Sequence, residues 1–501
     1  MTRPLPISRA SFEDAPAGES ASRGAPNDGG ARPTTPASHP TVVLAVLCVA
    51  QFIGALDVFI VNVALPNIGV GFGESSLSNL SWVLNAYAIV IAALMIPAGR
   101  LADLFGRKRV FLLGLGVFTV ASVGAASSGT LWVLVAFRVL QAAGAAALTP
   151  TSLGLLMVAA PENKRDLHVK IWTASAALAA ASGPVVGGLL VEVSWRWIFL
   201  LNVPVGVLAI ATAIRFVPDV PREAGARLPD LLGGVLLVLS IGSLALGLVK
   251  APDWGWSGTA TLVAFVTAAV ALLAFLWRSA HHSDPMLDLN LLRSRVLSSA
   301  SMSALLYFAS FGILLLSSVL WLQGHWHYSA IRTGLAIAPG PSSVPLFAVL
   351  SEVAARRVAV GVIAAFGCVL SAAGAVLLLS SMGDSPSYAA AFLPGWLLVC
   401  IGFALAMPTV TSSGTAELLP EQSATGSALV NVSVQVGLVI GISVLVALLG
   451  TASAAAGLHV FKEAWWAAAG IAVGASAAAL RVTPRRKLKA AATPSPTYQR
   501  T

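Results

Sequence analysis

Two side chains stand where charge is costly. Of 21 acidic residues only Asp57 lies well inside a long apolar run, and of 30 basic residues only Arg138 does. An ionisable residue at membrane depth is a candidate for function before anything else. Burial disfavours an ionised carboxylate, and a neighbouring guanidinium favours it. A carboxylate balanced between those effects can load and release a proton near neutral pH. The alternative is a static ion pair that only fixes helix packing, although such a pair is often no better than apolar packing. Other chemistry is sparse. Cys48, Cys368 and Cys400 lie singly in apolar runs and read as small core residues. His325 and His327 flank one residue in a loop without a nearby carboxylate, so neither a metal site nor a cofactor is expected.

The elements that must hold Asp57 and Arg138 are membrane spans. The 501 residues are 57% apolar and only 10% charged, against roughly 25% charged in soluble domains. A water-soluble fold of this size would lack charges to cover its surface. Spans of about 20 apolar residues read at 42–65, 80–99, 110–128, 131–155, 169–191, 197–217, 231–249, 258–277, 297–322, 333–351, 358–381, 388–412, 424–449 and 460–480. The runs are continuous rather than alternating, which excludes a β-barrel. Residues 1–40 and 481–501 read as polar tails. The first has no apolar segment of a signal peptide, so span 1 is expected to remain as an anchor.

Fourteen spans place both termini on one side. With that side cytoplasmic, 25 of the 30 Lys and Arg fall inside, 4 fall outside, and Arg138 is the remaining one. That bias supports cytoplasmic termini. It also accounts for the net charge of +9 without nucleic acid. Asp57 is then eight residues from the outer end of span 1, about 12 Å deep, and Arg138 is seven residues into span 4, about 10 Å deep. The shared depth lets both face one cavity. Polar and aromatic residues expected along it are Asn62, Asn85, Tyr87, Gln141, Trp172, Tyr307, Asn431 and Gln435, each equally at home in helix packing.

An internal repeat organises the spans. Gly144 to Thr151 in span 4 and Gly402 to Thr409 in span 12 both read G-x5-P-T. Pro161-Glu162-Asn163 recurs as Pro420-Glu421-Gln422 at nearly the same offset. The expected division is therefore 41–217 and 297–480 as two six-helix halves, with 218–296 carrying two inserted spans. Parallel repeats with a binding site between them are a transporter architecture.

Several motifs carry a family resemblance. The loop after span 2 reads Gly99-Arg-Leu-Ala-Asp103-Leu-Phe-Gly106-Arg107-Lys108-Arg109. A glycine for close helix approach, a helix-end acid and a tight turn before three cations resemble the signature loop of the major facilitator superfamily, with Leu104 in place of a frequent arginine. The second-half counterpart is reduced to Glu352, Arg356 and Arg357. Arg138-Val-Leu-Gln141-Ala142-Ala-Gly144 resembles the family's R-x-x-Q-G-x-G motif, whose arginine is implicated in proton transfer. Gly183-Pro184-Val-Val-Gly187-Gly188 in span 5 is similar to the motif of its proton-driven exporters. Leu56 to Pro66, Ser194 to Gly206, and Asn431 with Gln435, Gly437 and Gly441 resemble the fourteen-span drug:proton antiporters.

The resemblance implies an all-α polytopic membrane protein, not an enzyme, with the major facilitator fold of two six-helix halves plus two inserted helices. It implies a monomer in the cytoplasmic membrane that exports lipophilic drugs, antibiotics or a secondary metabolite in exchange for protons, by alternating access. Asp57 and Arg138 would couple the proton. The alternative is an uptake symporter for a small metabolite. A membrane-embedded enzyme lacks clustered catalytic groups, and a sensor lacks an output domain. One intramembrane acid suits monovalent cationic, zwitterionic or neutral amphiphiles.

Overall fold

The structure, a computed structural model, describes residues 39–220, 230–282, 284–418, 420–450 and 457–483, and the side chains at 415 and 420–424 lie outside that description. Almost all of both expected tails, and the side chains of the Pro420-Glu421-Gln422 recurrence, fall outside it as well. The described residues are helices and short connections, without strands.

The first half contains α1 (Pro40–Phe72), α2 (Leu77–Leu80) leading into α3 (Trp82–Phe105), α4 (Arg107–Ala126), α5 (Leu131–Ala159), α6 (Arg165–Val193), and α7 (Trp197–Leu200) leading into α8 (Asn202–Phe216). Two helices follow, α9 (Leu231–Trp254) and α10 (Thr259–His281). The second half contains α11 (Arg295–Gly324), α12 (Ala330–Ile337) with α13 (Pro339–Ala354), α14 (Val360–Ser381), α15 (Leu393–Thr415), α16 (Pro420–Leu449) and α17 (Leu458–Ala479).

Thirteen of these segments are long and apolar enough to cross a membrane. The fourteenth expected span is α17, whose 22 residues match a span in length. Lys462 and Glu463, with two tryptophans, dilute its hydropathy, yet Phe461, Ala464, Trp465 and Ala468 are buried. Span 10 is two helices rather than one. Pro341 has no N–H for the carbonyl of Ile337, and Trp396 Nε1 donates to that carbonyl at 2.8 Å instead.

The repeat has a physical basis. A Cβ on Gly114 would lie 2.9 Å from Gly144 O, and one on Gly367 would lie 2.6 Å from Gly402 O. The α4–α5 and α14–α15 crossings thus use the same backbone approach, which only small residues permit. Beyond each crossing comes the proline, followed by a threonine whose hydroxyl donates back into its helix: Thr151 to Ala147 O at 2.5 Å and Thr409 to Ala406 O at 2.7 Å.

The halves meet at the end of the bundle away from the termini. A Cβ on Gly188 of α6 would lie 2.6 Å from Ala330 O and Ile331 Cα of α12, and a Cβ on Gly334 of α12 would strike Pro184 O. Gln323 Nε2 of α11 donates to Val63 O of α1 at 2.9 Å. Asn85 Nδ2 of α3 donates to Ser443 Oγ of α16 at 3.4 Å.

Candidate functional site

Asp57 and Arg138 meet. Their side chains are each 1% exposed, and Arg138 Nη1 donates to Asp57 Oδ2. The α1 and α5 backbones bring them together, as two residues expected at a shared depth would be. Neither charge is left with a single partner. Arg138 Nη1 also donates to Gln141 Oε1 at 2.7 Å, and Arg138 Nε donates to Val83 O at 3.1 Å. Gln141 Nε2 donates to Asp57 Oδ1 at 3.0 Å and to Ser122 Oγ at 2.9 Å. Asn202 Nδ2 lies 3.4 Å from the same Oδ1. The guanidinium carbon sits 3.9 Å from the centre of the Tyr87 ring and 5.9 Å from that of Phe199. Five expected spans, formed by α1, α3, α4, α5 and the α7–α8 pair, therefore converge on one ion pair.

Such a cluster holds a carboxylate in place while water is excluded. The neutral donors Gln141 and Asn202 complete the hydrogen bonding around the carboxylate, and the aromatic faces add attraction to the cation. A proton arriving on Asp57 would remove the ion pair and leave Arg138 with Gln141, Val83 O and Tyr87.

The placement corrects one sequence expectation. The pair is sealed within the first half and does not face a cavity between the halves. The Asp57 side chain is almost fully buried, so in this conformation no molecule reaches it by direct contact. Gln141 belongs to the same sealed cluster instead of lining a cavity, and so does Tyr87. Asn85 is fully buried at the contact with α16. Asn62 is 5% exposed and turns its amide back to Val58 O at 2.8 Å. Asn431 and Gln435 remain half-buried, with the Asn431 amide on Ser427 O at 3.0 Å. Trp172 donates to Ser152 Oγ at 3.2 Å, and the Tyr307 hydroxyl pairs with Ser371 Oγ at 2.5 Å, so both act in packing here. Tyr87 OH and Asn85 Oδ1 are buried without a hydrogen-bond partner among the described residues.

The loop motif also builds a junction. Gly106 turns the chain from α3 to α4 at φ +99°, a conformation that favours glycine. Arg107 Nη2 pairs with Asp103 Oδ1 at 3.0 Å. Lys108 Nζ donates to Ile214 O at 3.1 Å, capping the last turn of α8. Arg109 is exposed. The expected close approach at Gly99 is not seen, because a Cβ there would meet Pro150 Cβ at an ordinary 3.7 Å. The close approach in this region is at Gly154 of α5, where a Cβ would lie 2.7 Å from Arg107 Nη1.

The glycine-proline motif of α6 uses two faces. A Cβ on Gly183 would lie 2.7 Å from Phe59 Cβ, and one on Gly187 would lie 3.2 Å from Ile60 Cα, so this face fits α1. Gly188 and the Pro184 carbonyl fit α12 of the other half.

Sequence reasoning missed two members of the cluster. Ser122 sits in an ordinary apolar helix and gives no signal. Asn202 lies in the Ser194–Gly206 stretch already singled out, where its single amide among apolar residues was the available hint.

A bundle of two six-helix halves with two inserted helices and a buried intramembrane ion pair defines a membrane transporter. The Major Facilitator Superfamily family model matches residues 47–238. The multidrug resistance protein Stp of Mycobacterium tuberculosis (strain CDC 1551 / Oshkosh) is 34% identical over 394 residues, covering 78% of this chain and 72% of Stp. The tetracenomycin C resistance and export protein of Streptomyces glaucescens is 31% identical, covering 86% of this chain and 80% of that protein. In fold, the chain resembles the crystal structure of a D-xylose-proton symporter at TM-score 0.65 and 13% identity, over 89% of this chain and 98% of that one. The chain belongs to the major facilitator superfamily. It is a multi-pass membrane transporter rather than an enzyme.

Proposed function

We propose that this protein exports lipophilic small molecules, among them drugs or antibiotics, across the cytoplasmic membrane in exchange for protons, with both termini in the cytoplasm. The observation that carries the reading is the sealed Asp57–Arg138 pair, a protonatable group within an apolar span whose network joins α1, α3, α4 and α5. The relatives, a multidrug resistance protein and a tetracenomycin C resistance and export protein, support the cargo class and the direction. The glycine-proline motif agrees with that direction.

The buried geometry favours indirect coupling over competition at the carboxylate. Arg138 holds Val83 O and stacks on Tyr87, one on each side of Asn85 in α3. Asn85 makes the contact with Ser443 in the other half. Opening of the outer end, driven by cargo, would withdraw these supports from the pair and let Asp57 take a proton from outside. Return to the sealed conformation would then re-form the Asp57–Arg138 pair and release that proton to the cytoplasm, so that protons move in as cargo moves out. With cytoplasmic termini, the conformation seen here is sealed outside. The unsatisfied Tyr87 hydroxyl and Asn85 Oδ1 are then polar capacity that opening would expose. A membrane potential of 100 mV supplies about 2.3 kcal/mol per charge, enough to drive uphill export.

The test is a resistance screen in an efflux-deficient bacterium, with Asp57→Asn as control. Resistance to lipophilic compounds that vanishes in Asp57→Asn, at equal membrane expression, is the expected result. Undiminished resistance in the variant removes Asp57 from the mechanism.

A further inference from the structure

The two sides of the bundle are closed unequally, and the difference runs along single helix stripes. On α6, Pro184 and Gly188 are buried against α12. Seven residues back on the same stripe, Ala177 and Ala181 are half-buried, and seven further back Lys170 and Ala174 are exposed. Heptad spacing keeps these positions on one face. The stripe that meets the second half at one end of the membrane therefore loses its cover toward the end bearing the termini. α13, which continues α12 in that direction, is open too: Ser342, Pro345, Leu346 and Val349 are exposed along one face, while Ser351 on the opposite face holds Leu405 O of α15 at 3.3 Å.

The opposite seam, between α3 and α16, stays covered. On α3, Ala86 and Ala93 share a heptad stripe and are 7% and 0% exposed. Gly234 of the inserted α9 packs next to Ala93 O. One heptad further, Arg100 donates to Asp284 O at 3.3 Å and Pro285 O at 2.8 Å, in the segment leading out of the inserted pair. Lys250 Nζ at the other end of α9 donates to Asn79 Oδ1 at 3.0 Å. The inserted pair is thus fastened to the first half at both membrane faces and caps that seam. The α2–α3 segment is mostly buried, whereas much of α6 and α13 is exposed.

We infer that the α6–α13 seam is a lateral portal through which lipophilic cargo passes from the bilayer leaflet on the side of the termini into the space between the halves, and that α9 and α10 close the other route. The identity of the passenger rests on the export reading, whereas the existence of a lipid-open seam does not. Apolar molecules concentrate in the hydrocarbon layer, and this seam is the exposed break in the wall next to that layer. Apart from Lys170 at the end bearing the termini, the wall residues named above are neutral and mostly small, which suits neutral or monovalent amphiphiles.

The experiment uses the full chain in liposomes, with Cys48, Cys368 and Cys400 replaced by alanine. Single cysteines at Ala174, Ala177 and Ala86 carry nitroxide labels, whose collision rates with lipid-soluble oxygen and a water-soluble nickel chelate are compared. The portal requires oxygen access above nickel access at Ala174 and Ala177, and access to neither reagent at Ala86. Nickel access exceeding oxygen access at Ala177, or access to neither, overturns it. In parallel, Ala177→Trp fills the seam and Val235→Trp loads the lipid face of α9. Proton-driven movement of Nile red should fall about tenfold in Ala177→Trp and persist in Val235→Trp. Equal movement in both overturns the portal. If the unmodified protein moves no Nile red, the export reading fails for this dye, and the collision rates still decide the portal.

Discussion

A double-mutant cycle on Asp57 and Arg138 separates a proton-coupling pair from a packing device. Asp57→Asn leaves Arg138 buried with Gln141 Oε1, Val83 O and the Tyr87 face but without its counter-ion. Removing one partner of a buried pair costs about 3–5 kcal/mol. The surviving partners place this variant near the lower end, about 3 kcal/mol, or roughly 150-fold in the folding equilibrium. Arg138→Met leaves the Asp57 carboxylate with Gln141 and Asn202, and the same reasoning gives about 3 kcal/mol. In the double variant no charge remains. The amide introduced at position 57 keeps the Gln141 contact, and the thioether introduced at position 138 packs on Tyr87 and Phe199. Its loss should be about 1 kcal/mol rather than the roughly 6 kcal/mol of independent sites, because residues in one network are strongly non-additive. The assay pairs unfolding of the detergent-purified protein with Nile red efflux from proteoliposomes. Stability should return in the double variant while proton-driven efflux stays below about one hundredth of normal. Additive destabilisation would refute the energetic argument. Restored, pH-responsive efflux in the double variant would show that the pair only packs.

Other perturbations follow from single contacts. Asn202→Ala removes a long hydrogen bond to Asp57 and should cost about 0.5–1 kcal/mol, as read from unfolding of the detergent-purified protein. Gly334→Val places a side chain against Pro184 O, so the outer end should not seal. A cysteine at Ser329 would then label faster with a water-soluble maleimide than in the unsubstituted protein, and an unchanged rate would argue against that contact as the seal. Burial of Asp230 at the start of α9 would by itself raise its carboxyl, but the Gly233 N–H and the Arg278 pair outweigh it and hold the group below its ordinary range. A depressed carboxyl contributes stability that is present above its unfolded-state value and is lost as pH falls through the lowered one. Asp230→Asn should therefore reduce stability at neutral pH and flatten the loss on strong acidification, as read from unfolding at a series of pH values.

What the sequence makes legible follows from how sharply each cause is local. A charge inside an apolar run is visible without any contact map, which is why Asp57 and Arg138 stand out and their shared depth follows from residue counting. Gly106 is legible because one residue sets the turn. Ser122 and Asn202 are not, since a hydroxyl or amide in an apolar helix signals nothing until the helices are packed. Gln141 and Tyr87 look like cavity residues by type, and only the closure of α3 and α5 around Arg138 assigns them to the sealed cluster. The break at Pro339 and Pro341 is hidden inside a continuous apolar run. The role of Arg100 depends on a carbonyl pair 184 and 185 residues away, a separation that no local pattern reports.

Proton exchange is the centre of the proposed function, and luminal pH reads it directly. The full chain is reconstituted in vesicles with an acidic lumen and a trapped pH indicator, and Nile red is added outside to protein whose cytoplasmic face points outward. The proposed antiport predicts that dye entry raises luminal pH in the unsubstituted protein and leaves it unchanged in Asp57→Asn. Dye accumulation with no change in luminal pH, or protons moving in the same direction as the dye, would contradict it.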